Sequence, residues 1–317
     1  MTRVFMSRPL PDRVQDAARE MFDLTVRDIT TPMTRDEMLT SLSEYDGVVP
    51  TLGDLYTADI FAEAGTPRCK VLANFGVGYN HIDVDAARAA GIAVSNTPGA
   101  VTDATADIAL CLMLMTARRA GEGERLLRSG AWEGWHPTQL LGMHLGGKTV
   151  GIVGMGRIGQ AIARRAHFGF GMTVAYASRS PKTLDFPAQM MPGLAELAAV
   201  ADILVVAVPG GAETHHLING AVLQAMKPTA HLVNIARGNV VEETALIEAL
   251  QTGSIAGAGL DVYEFEPKVP QALSAMENVA LLPHLGTAAL EVREDMGMMS
   301  VDNLKAFFAG APLPNAV

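Results

Sequence analysis

The chain alternates short apolar runs with stretches whose apolar residues recur every three or four positions. Arg3–Ser7 reads as a strand, and Pro11–Phe22 as a helix with Val14, Ala17, Ala18 and Met21 on one face. Leu24–Arg27 is a short strand. Thr34–Leu42 is a helix entered through a capping box, Thr34 to Glu37. Strands follow at Tyr45–Pro50, Val71–Asn74 and Ile92–Ser95, with helices between them at Ala58–Ala64 and Val84–Ala90, the latter stopped by Gly91. This order implies parallel pairing through right-handed crossovers.

The pattern breaks at Asn96-Thr97-Pro98-Gly99, which reads as the crossing into a second unit. Thr102–Ala120 reads as one long helix, with Asp103 and Asp107 near its positive end and Arg118 and Arg119 near its negative end. Its most apolar part, Ile108–Ala117, is too short to span a bilayer and reads as a helix buried on all sides. Gly121–Gly147 reads as irregular. It holds Trp132 and Trp135, and such a loop suits an interface or lid better than a core. Strands are then expected at Thr149–Val153, Thr173–Ala177, Ile203–Val208, His231–Asn234, Gly257–Leu260 and Val279–Leu282, with helices at Leu194–Val200, Gly220–Met226 and Glu242–Thr252. Residues 288–309 read as a last helix returning to the first unit, which would make that unit discontinuous.

Composition narrows the function. With 317 residues, 49% of them hydrophobic and 18% charged, two domains with large cores are expected. A net charge of −10 argues against nucleic acid or an anionic membrane as partner. A site for an anionic substrate must therefore build its own local positive charge. Cys69 and Cys111, the only cysteines, form no disulfide framework or metal spacing, and Met1–Leu10 lacks the apolar core of a signal peptide. A cytoplasmic protein is expected. No metal is expected either: H-E-x-x-H spacing is absent, and adjacent His215 and His216 should point in different directions.

Gly154, Gly156 and Gly159 fit G-x-G-x-x-G between the strand Thr149–Val153 and a helix of small residues. The first glycine permits the tight turn, the second lets a pyrophosphate approach the backbone, and the third lets helix and sheet pack closely. A helix N-terminus there offers N–H groups and a positive dipole end to phosphates, so a dinucleotide site is expected. An Asp or Glu about 20 residues further on would accept hydrogen bonds from a ribose 2′-OH. Ser178, Arg179 and Ser180 stand there instead. Arg179 can pair with a 2′-phosphate, so NADP(H) is the expected cofactor, with NAD(H) as the alternative.

Ligands in open α/β sheets gather at the carboxyl ends of strands. Gly76-Val77-Gly78, Arg237, Glu266 and His284 all follow strands. Arg237 can hold a carboxylate through a bidentate fork, and a carboxylate beside His284 would fix its tautomer and keep it useful as an acid/base near neutral pH.

The chain resembles the D-isomer-specific 2-hydroxyacid dehydrogenases over essentially its full length. The resemblance is carried by Asn74-Phe75-Gly76-Val77-Gly78-Tyr79-Asn80-His81-Ile82-Asp83, the glycine turn, Asn234-Ile235-Ala236-Arg237-Gly238, the segment Gly259 to Pro267, and Pro283-His284-Leu285-Gly286. It implies two doubly wound parallel-sheet α/β domains. A Rossmann-type cofactor domain would span 99–286, and a flavodoxin-like substrate domain would join 1–98 to 287–317. Arg237, Glu266 and His284 would be the catalytic set, with Leu52, Val77 and Gly78 also at the substrate. Cofactor contacts would come from Thr105, Gly154, Met155, Gly156, Arg157, Ile158, Gly159, Ser178, Arg179, Ser180, Val208, Pro209, Thr214, Ile235, Ala236, Asp261, His284 and Gly286. Within the family the chain is most similar to glyoxylate/hydroxypyruvate reductases, and a homodimer is expected. A reductase for another 2-oxo acid, such as hydroxyphenylpyruvate or 2-ketogluconate, and a dinucleotide-sensing corepressor are the competing readings.

Overall fold

Short runs of aliphatic residues become parallel strands covered on both faces, and they sort into two sheets. The computed structural model describes residues 1–317. It divides into two compact units, Met1–Val101 with Thr287–Val317, and Thr102–Gly286. No helix is long and apolar enough to cross a membrane.

The first unit runs β1 (Arg3–Met6), α1 (Asp12–Met21), β2 (Asp23–Val26), α2 (Arg35–Glu44), β3 (Gly47–Val49), α3 (Ala58–Ala64), β4 (Val71–Ala73), α4 (Val84–Ala89) and β5 (Ala93–Ser95). Its parallel sheet has the order β2-β1-β3-β4-β5, which reverses between β1 and β3 in the flavodoxin-like manner. Alternate residues serve opposite cores. Val48 and Leu72 join Leu42, Tyr56 and Ile60 on one face, while Val49, Val71 and Ala73 join Val14 and Ala18 on the other. The final helix, Leu290–Phe308, adds Val301 and Leu304 to that second core. The Thr34–Glu37 capping box is present at the start of α2.

The second unit contains α5 (Thr102–Ala117), α6 (Ala120–Arg128), β6 (Thr149–Val153), α7 (Arg157–Phe170), β7 (Thr173–Ala177), β8 (Ala188–Met190), α8 (Leu194–Val200), β9 (Ile203–Val206), α9 (Gly220–Ala225), β10 (His231–Asn234), α10 (Glu243–Gln251), β11 (Gly257–Leu260), α11 (Gln271–Ser274) and β12 (Val279–Leu281). The order β12-β11-β10-β9-β6-β7-β8 reverses between β6 and β9, as in a Rossmann sheet. Val150, Ile152, Ile203, Val205 and Val233 share a core with residues of α5 and α7, and Val153, Leu204, Val206 and Leu232 pack with the α8–α10 side.

Three details differ from the sequence reading. The long helix stops at Ala117, because Arg119 takes a left-handed backbone (φ 52°) and grips Glu122 through two hydrogen bonds of 2.7 Å. A separate helix, α6, then occupies Ala120–Arg128, where irregular chain was expected; Gly121 and Gly123 lie inside it. Second, α5 is not buried on all sides. Ala106, Ala109, Leu112 and Met113 are buried, Cys111 is exposed, and Ile108, Leu114 and Met115 are half-buried. Third, β8 is a short edge strand beside β7, invisible in a sequence that lacks an apolar run there.

Burial also sets an acid sensitivity. His231, buried in β10, has its Nδ1 2.8 Å from Thr116 Oγ1, and desolvation lowers its pKa from 6.5 to about 4. Between those values the unfolded chain binds the extra proton and the folded chain does not. Stability from this group is therefore complete above about pH 6.5 and falls as pH drops toward 4, by about 3 kcal/mol in all. Thermal melts of His231→Gln at pH about 7 and about 4.5 should show a shallower acid loss of Tm than the parent chain. Equal losses would show that His231 does not set the acid sensitivity.

Candidate active site

The glycine turn can be tested against the dinucleotide directly. A Cβ on Gly154 would lie 2.7 Å from the Ala207 carbonyl oxygen, and one on Gly159 only 2.0 Å from the Gly154 carbonyl oxygen. Both glycines are thus required by close packing at the β6–α7 junction. A Cβ on Gly156 would meet nothing within 4 Å. The space before that residue is open, and α7 begins one residue later with no side chain capping its N–H groups. This is the cradle a pyrophosphate needs. Ile158 and Arg157 lie in the first turn of α7, and Met155, just before it, is buried.

Past β7, Ser178 donates to the Ser180 carbonyl oxygen at 2.5 Å, and Lys182 Nζ donates to Ser180 Oγ at 3.0 Å. Arg179 is exposed beside them. Lys182 is a second cation here that the sequence reading missed; its link to Ser180 Oγ is visible only in three dimensions. Beyond β9, Thr214 Oγ1 donates to the Pro209 carbonyl oxygen at 2.8 Å and so closes the Val208–Thr214 loop.

Three loops at the carboxyl ends of β10, β11 and β12 bring Arg237, Glu266 and His284 together. Asn234 shapes the first: its Oδ1 accepts from the Ala236 N–H and its Nδ2 donates to the Arg237 carbonyl oxygen, each at 3.0 Å. Gly238 then presses against the β11 loop, where a Cβ would lie 1.8 Å from the Tyr263 carbonyl carbon. Tyr263 N–H in turn donates to Glu266 Oε1 at 3.0 Å, and Glu266 Oε2 lies 2.9 Å from His284 Nδ1. Both side chains of that pair keep about 30% exposure, so each can meet solvent or substrate. His284 takes a left-handed backbone, φ 55°, which is uncommon outside glycine and is tolerated where surrounding structure enforces it.

Asp261 supplies that enforcement. It is 1% exposed, its Oδ1 accepts from Leu285 N–H at 2.6 Å, its Oδ2 from Gly286 N–H at 2.8 Å, and its backbone oxygen from His284 N–H at 2.9 Å. Thr105 Oγ1 donates to the Gly286 carbonyl oxygen at 3.1 Å. Asp261 and Thr105 therefore hold the loop that carries His284, a task the sequence does not display.

The electrostatics follow from these contacts. Burial pushes the Glu266 carboxyl up, but the hydrogen bond and charge of His284, the Tyr263 N–H and Arg237 outweigh it, so Glu266 titrates below the usual 4.5. Its ionised carboxylate only accepts hydrogen bonds, so His284 Nδ1 carries a proton and Nε2 is the nitrogen left for chemistry. Burial lowers the Arg237 pKa, opposed by the Glu266 charge, and an arginine remains a cation even so. Its Nη1 donates to the Ala236 carbonyl oxygen at 2.7 Å. The result is a local cationic fork beside an oriented imidazole in a chain of net charge −10.

In the first unit, Leu52 lies in the loop after β3, and Arg8 Nη1 donates to its carbonyl oxygen at 2.8 Å. The loop after β4 is set by Asn74, whose Nδ2 donates to the Gly76 and Gly78 carbonyl oxygens at 3.0 and 3.1 Å, while Asn96 Nδ2 donates to that of Val77 at 2.9 Å. Trans peptide planes point each following N–H the opposite way. The Val77 N–H thus points opposite to the Gly76 carbonyl, and the Gly78 N–H opposite to that of Val77.

His215 and His216 do not diverge as expected. His216 has φ 49°, and the two rings stack at 3.9 Å with planes 30° apart.

Known proteins share the sequence and the fold of this chain. Residues 110–286 match the D-isomer specific 2-hydroxyacid dehydrogenase, NAD binding domain. The chain is 44% identical to the glyoxylate reductase of Thermococcus onnurineus, over 99% of this chain and 95% of that one. Among solved structures, a protein from Thermus thermophilus superposes with a TM-score of 0.91 at 43% identity, covering 100% of both chains. The NADPH-dependent glyoxylate/hydroxypyruvate reductase of Sinorhizobium meliloti, in complex with NADP and malonate, has a TM-score of 0.86 at 39% identity, covering 100% of this chain and 96% of that one.

Proposed function

The chain belongs to the D-isomer specific 2-hydroxyacid dehydrogenase family, and from that premise we propose that it reduces glyoxylate and hydroxypyruvate to the D-2-hydroxy acids with a reduced nicotinamide dinucleotide. The observation that carries this reading is the Glu266–His284 pair beside Arg237, at the carboxyl ends of strands in the unit that bears the glycine turn. Gly154–Gly159 and the α7 N-terminus would hold the pyrophosphate. When bound, the nicotinamide supplies hydride to the carbonyl carbon. The chain's own residues do the rest. Arg237 binds the substrate carboxylate through two parallel hydrogen bonds and draws charge from the adjacent carbonyl. His284 gives its Nε2 proton to the carbonyl oxygen, and Glu266 holds the imidazole by Nδ1 and stabilises its charge. A panel of 2-oxo acids of rising bulk tests the substrate class: kcat/KM should be highest for glyoxylate and hydroxypyruvate. A maximum at a bulky aromatic or sugar acid would assign the site to another 2-oxo acid.

NADPH is the preferred cofactor in this reading. No carboxylate stands directly after β7 to repel a 2′-phosphate, and Arg179 and Lys182 bring two cations there. Arg179→Ala should raise the KM for NADPH and leave that for NADH nearly unchanged. Equal weakening of both, or a parent chain that favours NADH, would overturn the 2′-phosphate assignment.

The chain forms a two-fold homodimer in the cytoplasm in this reading. Several apolar residues of α5 are only partly covered, and Leu127, Trp132, Trp135 and Leu141 are all exposed. A cavity of about 680 Å³ opens among Met115, Arg119, Leu141 and Glu277 on the same unit. Apolar surface on this scale marks an interface. Light scattering at micromolar concentration should give twice the chain mass, and a monomer would refute the dimer.

A further inference from the structure

We propose that His215, His216 and Glu264 form a binding site for a divalent first-row transition ion of the zinc, cobalt or nickel class, separate from the Glu266–His284 pair. Their donor atoms all lie within 4.8 Å of one another. Ions of this class bond imidazole nitrogen and carboxylate oxygen at about 2.0–2.2 Å, so neighbouring donors sit roughly 3–4 Å apart around them. The His215 ring, stacked on that of His216, turns to aim its nitrogen at the ion and so closes the set.

Two of the three donors are already held in place. His216 is fixed at φ 49° by backbone pairing: its N–H donates to the Asn239 carbonyl oxygen at 2.8 Å, and the next residue but one, Ile218, bridges to Val241. Its Nε2 lies 2.7 Å from Glu264 Oε1. The other oxygen, Glu264 Oε2, accepts from the Glu243 N–H at 3.4 Å, and the Glu243 carboxylate accepts from the Glu264 N–H at 3.3 Å. These outer contacts aim the Glu264 carboxylate as second-layer partners aim metal ligands. His215 is exposed, and its ring meets that of His216, so it is the side chain free to swing onto the ion. The ion takes the place of the hydrogen between His216 Nε2 and Glu264 Oε1, and the neutral ring that ligates it through Nε2 carries its one proton on Nδ1. Imidazole and carboxylate donors suit zinc, cobalt and nickel, whereas calcium and magnesium prefer oxygen alone. Three protein ligands leave positions for water.

The site joins the loops after β9 and β11, which also carry Thr214 and Glu266. It does not depend on the reductase assignment, and its test is independent of activity. Full-length chain stripped with a chelator is titrated with Co²⁺, followed by visible ligand-field absorption, and with Zn²⁺ by equilibrium dialysis. One Co²⁺ should bind per chain, and Zn²⁺ should displace it and raise Tm. His215→Ala should weaken Zn²⁺ binding at least tenfold, as should Glu264→Gln, while the metal-free Tm of His215→Ala matches the parent's because that ring is exposed. His284→Ala should keep the Co²⁺ band. Parent chain that binds no Co²⁺ at millimolar concentration, His215→Ala that binds like the parent, or a band lost in His284→Ala each overturns the site; the last would place the ion on the Glu266–His284 pair.

Discussion

His284→Ala should lower kcat for a 2-oxo acid by about 10²–10⁴, the range that a positioned general acid contributes. The cofactor should still bind, because the glycine turn and the α7 N-terminus are untouched. The loop itself should survive. It is fastened by the backbone N–H groups of His284, Leu285 and Gly286 to Asp261, and none of those bonds uses the imidazole. The left-handed backbone there is no easier for alanine than for histidine, since alanine also carries a Cβ. Loss of turnover with retained cofactor binding, measured by steady-state kinetics and by fluorescence titration, is the expected pair of results. Turnover near that of the parent chain would remove His284 from the chemistry.

Arg237→Lys should lower kcat/KM for the acid by about 10–100-fold, mostly through KM. Hydrogen bonds to charged groups contribute about 1.5–3 kcal/mol, and a lysine cannot reproduce the fork's second parallel bond. The change also alters packing, because the Arg237 stem lies where a Cβ on Gly210 would meet its Cγ at 2.7 Å. Cofactor KM serves as the internal control. If the acid and the cofactor lost affinity equally, Arg237 would be a structural residue rather than the carboxylate's partner.

Much of this architecture was legible because parallel sheets buried on both faces write continuous apolar runs into the chain. Strands such as Thr149–Val153, Thr173–Ala177, His231–Asn234 and Gly257–Leu260 occupy the segments that those runs mark. The candidate residues were legible for a related reason: strand ends are where such sheets gather ligands, so Arg237, Glu266 and His284 stood out by position alone. What stayed hidden depends on backbone conformation or on contacts distant in sequence. The break at Arg119 is a left-handed residue that no periodicity announces, and the glycines of α6 read as loop because they are poor helix formers. The stacking of His215 on His216 comes with a left-handed backbone at His216. The Asp261 carboxylate reaches across 24 and 25 residues to its two amide donors, and that clamp emerges only when β11 and β12 lie side by side.

The chain's chemistry is reduction of the carbonyl of a small 2-oxo acid. It is tested most directly by following reduced cofactor and product together when glyoxylate or hydroxypyruvate is added to the purified chain. One NADPH should be consumed for each glycolate formed, and hydroxypyruvate should give D-glycerate. Cofactor that stays reduced with both acids, or L-glycerate as the product, would contradict it.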